Sequence, residues 1–286
     1  MALMLGCAVL VAIGIAMIIA WGDEDLHAPP GGAEPPEGKL PFRLVIRRYL
    51  WRVGLVFGCG AGAGVLMAGP GGRLVMRLLA VTAPQTAQGR ITEADEIVGR
   101  ISMSGTTGFI IFVGIFFGLM IGIFYLLIHR WLPRGRLGGV VFGLLLLVWF
   151  SVPADPLRPD NPDFEIVGPG WVSIIAFSVL VVFHGMLVAA VAGRYSRSLP
   201  LISKDWRTIL MYAPLLLLVP GFVLLLGVVM GAGVALAFNA VPAIARVWES
   251  SRVAVAGRAL GIVATVVSLP FFVIGIAEIL EKSPNY

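Results

Sequence analysis

The sequence predicts an all-α protein: a polytopic transmembrane helical bundle of about seven spans, with short interfacial helices in the loop after the second. Three observations predict it. Apolar residues fill 58% of the 286 positions and charged residues only 13%, with a mean hydropathy of +0.95, whereas a soluble domain is about one quarter charged. The apolar residues gather in runs that reach or approach the roughly 20 needed to cross a ~30 Å hydrocarbon layer. Those runs are continuous and do not alternate in ten-residue units as transmembrane strands do. The same composition excludes a soluble globular domain, and it excludes a disordered chain, which needs low hydropathy and high charge.

Taken in order, the predicted spans are 2–21, 50–69, 107–128, 137–153, 171–192, 211–237 and 259–279. The first has no basic residue before its apolar run and no small-x-small site after Trp21, so it reads as a retained helix and not as a cleaved leader. Residues 22–41, rich in Pro, Gly and acids, read as a flexible linker. The chain therefore divides into an N-terminal helix (1–21), the linker (22–41) and a six-span membrane domain (42–286). The fourth span is the shortest but carries the strongly apolar run Leu144 to Phe150. Pro220-Gly221 in the sixth and Pro270 in the seventh are expected to kink their helices.

Lys and Arg collect in alternate loops. The larger share falls between spans 1 and 2, 3 and 4, and 5 and 6, which places the N-terminus outside and the C-terminus inside a bacterial plasma membrane. The excess of Arg over Lys and the abundance of Gly and Ala match a GC-rich bacterial genome. The net charge of +5 does not indicate a nucleic-acid partner, because the basic residues are spread over loop ends where anionic lipids attract them. Cys7 and Cys59 lie within spans, toward opposite sides, and read as packing residues.

Two connections stand out. In the loop over 70–106, the break Gly69-Pro70-Gly71-Gly72 precedes GRLVMRLLAVTA, read as a first surface helix. Thr92 and Asp95 resemble a capping box that opens a second, with Ile91, Ala94, Ile97, Val98 and Ile101 at helical spacing. The loop VPADPLRPDNPDFEIVGPGW holds Asp155, Asp160, Asp163 and Glu165 among prolines; it reads as a rigid acidic segment, with oxygen ligation of Ca²⁺ as the alternative.

Four features bear on function. Gly54, Gly58 and Gly62 in span 2 and Gly114, Gly118 and Gly122 in span 3 each form a GxxxGxxxG face, suited to an intramolecular seam or to a partner subunit or second copy. No Asp, Glu, Lys or Arg lies in the interior of a span, Glu278 sitting at the end of the seventh, which disfavours proton-driven transport and voltage sensing. His184 is the one titratable residue deep in a span; it is either a haem ligand or proton shuttle, or a neutral ring hydrogen-bonded to a neighbouring helix. Arg73 and Arg77, one turn apart at the outer surface, are suited to clamp a phosphate or carboxylate, or a lipid headgroup, unless Asp95 or Glu96 pairs with them. Signatures of hydrolases, metalloproteases, P-loop and dinucleotide enzymes are absent, so no catalytic residue, metal site or cofactor is assigned.

The stretches GRITEADEIVGR (89–100) and NPDFEIVGPGW (161–171) resemble those of a family of uncharacterised polytopic membrane proteins from high-GC Gram-positive bacteria. The resemblance runs from about Arg43 to Leu280 and implies a bacterial membrane location without an activity. The leading expectation is thus a non-enzymatic subunit or scaffold of a membrane assembly, held in the bilayer and joined to a protein partner through its glycine faces. The alternatives are a carrier or channel for a lipid-like or weakly polar solute along spans 6 and 7, and a membrane enzyme whose polar residues converge from the two outer loops.

Overall fold

The computed structural model describes residues 1–30, 40–213, 215 and 222–283. The described chain is all-helical and holds no strand. Its helices are α1 (Ala2–Trp21), α2 (Phe42–Thr82), α3 (Met103–Trp131), α4 (Arg136–Phe150), α5 (Gly170–Ser198), α6 (Trp206–Met211), α7 (Phe222–Ala240), α8 (Pro242–Glu249) and α9 (Ser251–Lys282). Of these, α1, α2, α3, α5 and α9 are long and apolar enough to cross a membrane, and α4 is a shorter apolar helix. Large apolar side chains face outward: Leu260, Ile262 and Phe271 of α9 are each more than 60% exposed.

The bundle has two ends. One, here the loop face, carries the connections α2–α3 and α4–α5; the other is the opposite face. α1 starts at the loop face, where Met4 lines a cavity together with Arg73, and ends at the opposite face, where Arg136 bonds the Ile19 carbonyl. α9 begins beside Arg130, which donates to the Trp248 and Glu249 carbonyls at 2.7 and 2.6 Å. It ends at the loop face, where Lys282 donates to the Pro159 carbonyl at 2.9 Å. Both described ends of the chain therefore share one face, which corrects the expectation of ends on opposite sides. The cause is the stretch 211–237, counted from its apolar length as one crossing. Its flanks sit at the same face: the Tyr212 hydroxyl donates to the Pro200 carbonyl, and Asn239 exchanges hydrogen bonds with Leu40. The Pro220-Gly221 kink lies outside the described residues; Pro270 sits within an unbroken α9.

The break expected at Gly69 to Gly72 is not there. α2 runs through it for 41 residues, so the first predicted surface helix is the upper part of α2. Two wide, π-helical turns, Phe57–Ala61 and Gly64–Ala68, lead into Pro70. The Gly69 N–H already reaches back to Gly64, so the donor that Pro70 lacks falls where the hydrogen-bond register is changing. Gly71 and Gly72 then admit Leu180 and Phe109, and this packing outweighs the poor helix propensity of the segment. The second predicted surface helix is a tight turn: Ile91 and Ile97 form an antiparallel bridge, Thr92 N–H donates to the Glu96 carbonyl at 2.9 Å, and the Thr92 hydroxyl accepts from Glu96 N–H. Gly89 and Gly99, at φ +83° and +87°, fold the segment back before a helix can nucleate.

Helix α2 carries two glycine registers and uses each on a different neighbour. Gly60 and Gly64 face Gly114, Gly118 and Gly122 of α3, so close that a Cβ on Gly64 would overlap the Gly114 carbonyl. Gly54 and Gly58, expected in that seam, instead admit the rings of Tyr212 and Tyr195, and a Cβ on Gly62 meets nothing within 4 Å. A further glycine contact, Gly143 on Gly185, draws α4 onto α5. The main core joins these helices through Cys59, Met67, Tyr125, Phe142, Leu146 and Leu187. α1 docks on it through Gly14, which meets Leu187 and Met67. Of the predicted linker, residues 31–39 lie outside the described residues. Its first part is pinned: Leu26 joins the core and His27 N–H donates to the Ser196 hydroxyl at 3.0 Å.

Candidate functional site

A cavity of about 930 Å³ runs from the loop face down between α2, α3, α4 and α5. It is not the space between spans 6 and 7 that the carrier reading anticipated. Its body is apolar, with Phe109, Phe117, Met120, Phe124, Phe150 and Leu180 in the wall. Phe112 and Leu127, also in the wall, are 61% and 52% exposed. The cavity thus opens sideways onto the apolar flank of the bundle as well as toward the loop face.

Its mouth is polar because two loops meet there. The Ala80, Ala87, Val98 and Ile166 side chains form a small core that seats both loops on the top of α2. Above it Glu93 of one loop pairs with Arg158 of the other, and the Asp163 carboxylate accepts from the Glu93 N–H at 2.8 Å. Arg158 also lies 3.4 Å from Asp160. Asn161 caps the short turn at Pro162–Glu165 by accepting from the Asp163 N–H. Asp155 and Asp163 both reach the mouth. Burial is the main reason that both carboxyls titrate above the usual Asp range. At Asp155 the Arg158 charge opposes this and Glu93 and Asp163 reinforce it. At Asp163 the Glu93 N–H opposes it, ahead of the repulsion from Glu93 and the attraction of Arg158. Hydrogen bonding to Glu93 raises the Arg158 guanidinium in turn. Among the described residues no group of three His, Cys, Asp or Glu gathers as metal donors.

Arg73 and Arg77 both line this mouth. Neither appears in an ion pair among the described residues. Arg73 lies over the Phe109 ring, 5.9 Å from its centroid, and reaches the Met76 sulfur at 3.8 Å, while its buried Nε has no hydrogen-bond partner. Arg77 donates to the Gly99 carbonyl at 3.1 Å. Of the carboxylates expected to neutralise them, Asp95 sits in the turn at φ +55°, and Glu96, which also lines the mouth, lies against Gly105 in the first turn of α3, where the helix dipole favours an anion.

His184 lies in the cavity wall and is 3% exposed. Neither ring nitrogen has a partner with hydrogen-bond geometry, and the polar group facing it is the Ala63 backbone. Ala63 belongs to α2, so the group facing the ring lies on a neighbouring helix.

Gly114, Gly118 and Gly122 sit on the far side of α3 from solvent-exposed Phe112 and Ile123, turned inward onto α2. Cys7 and Cys59 are both free thiols. Sequence reasoning did not single out Gly60, Gly64, Glu93 or Arg158. The signals were present in the second GxxxG register of span 2 and in Arg158 as the single base of an otherwise acidic loop. Comparison of the chain with family profiles, curated proteins and solved structures gives no match.

Proposed function

We propose that the chain is an integral protein of a bacterial plasma membrane that holds an anionic amphiphile, its headgroup on Arg73 and Arg77 and its chain in the lateral cavity. The observation that carries this reading is the pair of arginines without carboxylate partners at the mouth of an apolar cavity of about 930 Å³. A guanidinium pair recognises phosphate or carboxylate through charge-assisted hydrogen bonds, and an apolar channel open to lipid admits a hydrocarbon chain without a water barrier.

The charge distribution supports the membrane placement. With both ends of the chain at the loop face, that face holds Arg73, Arg77, Arg90, Arg100, Arg158 and Lys282, and the rest of the 21 Lys and Arg belong to the opposite end or to the connections joined to it. The positive-inside rule then puts the loop face outside, with a stronger bias than seven crossings would give. Between Arg52 and Arg73 α2 rises roughly 31 Å, the thickness of the hydrocarbon layer. The scaffold reading, by contrast, drew on glycine faces turned outward, and Gly114, Gly118 and Gly122 are spent on Gly60 and Gly64.

The test is native mass spectrometry of protein purified in mild detergent. A bound lipid anion should accompany the wild type and be lost from the Arg73→Gln, Arg77→Gln double variant. Wild-type protein that carries no lipid anion even after exposure to phosphatidylglycerol vesicles would overturn the proposal.

A further inference from the structure

The cavity is longer than one leaflet is deep. Along α3 its wall runs from Gly105 to Leu127, positions whose separation along the helix corresponds to a rise of roughly 33 Å. The glycine seam gives the same depth from the facing helix. Gly114 meets Gly64 and Gly118 meets Gly60, and that antiparallel register brings Leu127 level with Trp51, beside the Arg52 that ends the apolar stretch of α2. The ~30 Å hydrocarbon layer is thus lined from one side to the other, whereas the chains of one leaflet fill half of it. The polar lining is not repeated at the far end. Apart from His184, every polar side chain in the wall stands at the loop face, and the far end is lined by Ile123, Phe124 and Leu127. A second lipid entering from the opposite leaflet would find no group there for its head. The whole length therefore serves one head, the one held at Arg73 and Arg77.

We infer that the bound amphiphile carries a hydrocarbon chain about twice as long as those of one leaflet, crossing the bilayer from Arg73 to Leu127. This deepens the amphiphile-binding reading above and rests on it. An extended chain advances about 1.2 Å per bond, so the depth corresponds to roughly 27 bonds, or about seven isoprene units of four chain bonds each. The ligand class is therefore a phosphate or carboxylate on a chain of that length, a polyprenyl phosphate or a very-long-chain acid. The far half fills from the side. Ile123 and Leu127 are 44% and 52% exposed, so the chain slides in from the surrounding lipid as the head settles at the mouth. Arg73 and Arg77 select the head, and the extent of the groove along α3 selects the length.

The experiment reads depth directly. Full-length protein in phosphatidylcholine nanodiscs is cross-linked to two acids bearing a photoreactive diazirine at the chain end, octadecanoate and octacosanoate, and the labelled residues are located by peptide mass spectrometry. The short probe reaches roughly 20 Å below Arg73, so it should label α3 around Phe117 to Ile121. The long probe should label Phe124 to Leu127 instead, a shift of about seven positions along the helix. Both labels should be lost from the Arg73→Gln, Arg77→Gln variant. Leu127→Trp adds bulk at a half-exposed position; it should remove the long probe's label from the far end and leave the short probe's in place. Unlabelled heptaprenyl phosphate and octacosanoate then compete with the long probe, and whichever suppresses labelling at the lower concentration identifies the chain as isoprenoid or straight. Both probes labelling the same residues overturns the inference, and so does a long probe that labels the outer face of α9 in place of the far end of the cavity. The wild-type comparison stands even if a variant does not fold. Absence of cavity labelling by either probe would instead remove the underlying reading of the site.

Discussion

Replacing Gly64 by Ala adds a single methyl group at the point where α2 and α3 touch through their backbones. The added Cβ would overlap the Gly114 carbonyl oxygen, and its next neighbours are also backbone atoms of Gly114. No side-chain rotamer can relieve the clash, so the two helices must separate, and the contacts of Gly60 with Gly118 and Gly122 loosen with them. Overpacking a close-packed site costs about 1–3 kcal/mol, and a clash with backbone on both sides belongs at the upper end. At that size the midpoint of thermal unfolding should fall by roughly 6–12 °C. Gly62→Ala is the internal control. It is the position that the repeating pattern places in the seam, yet a Cβ there meets nothing within 4 Å, so the change should be neutral or stabilise by up to about 1 kcal/mol through helix propensity. Thermal unfolding of both variants in the same detergent, followed by tryptophan fluorescence, reads the difference. If Gly62→Ala destabilises as much as Gly64→Ala, or if Gly64→Ala is silent, the assignment of the seam to Gly60 and Gly64 is wrong.

Three further outcomes are expected. Trp51 is 2% exposed and donates its indole N–H to the Leu199 carbonyl at 2.8 Å; Trp51→Phe strands that carbonyl and should cost about 1–3 kcal/mol in the same unfolding assay. Burial raises the folded-state titration of Asp155 and Asp163 above the ordinary value of 3.8, so the folded loops bind protons more tightly than the unfolded chain. Their contribution is fully present below the ordinary Asp range and is lost as pH rises through the raised values. Midpoints measured from about pH 4 to about pH 7 should therefore show a decline that Asp155→Asn flattens. Arg158→Gln removes the link to Glu93 and Asp160; hydrogen exchange should quicken across residues 89–101 and leave the buried helices unchanged, whereas an unaltered exchange pattern would deny that the pair fastens the two loops together.

The long apolar runs were legible because span length is set by the bilayer, and α1, α3 and α5 lie where hydropathy places them. What was not legible depends on neighbours. Gly69-Pro70-Gly71-Gly72 reads as a break by local propensity, and only contact with Phe109, Ile110 and Leu180 holds it helical. Ile91, Ala94, Ile97 and Val98 satisfy a helical period, but two glycines at positive φ close the segment into a turn. Span 2 holds two glycine registers, and nothing in the spacing says which one meets α3 and which admits Tyr195 and Tyr212. At the site, Arg73, Arg77 and His184 were visible as residues out of keeping with their surroundings. That all three line one cavity follows from how α2 and α5 cross, a tertiary fact.

The most direct test of the account is a cryo-EM map of the protein in nanodiscs containing phosphatidylglycerol. The account predicts elongated density in the cavity between α2, α3, α4 and α5, with its head against the Arg73 and Arg77 guanidinium groups and its chain descending toward His184. A cavity closed by α3 packing onto α4, or Arg73 and Arg77 drawn into pairs with Glu96 or Asp163, would contradict it.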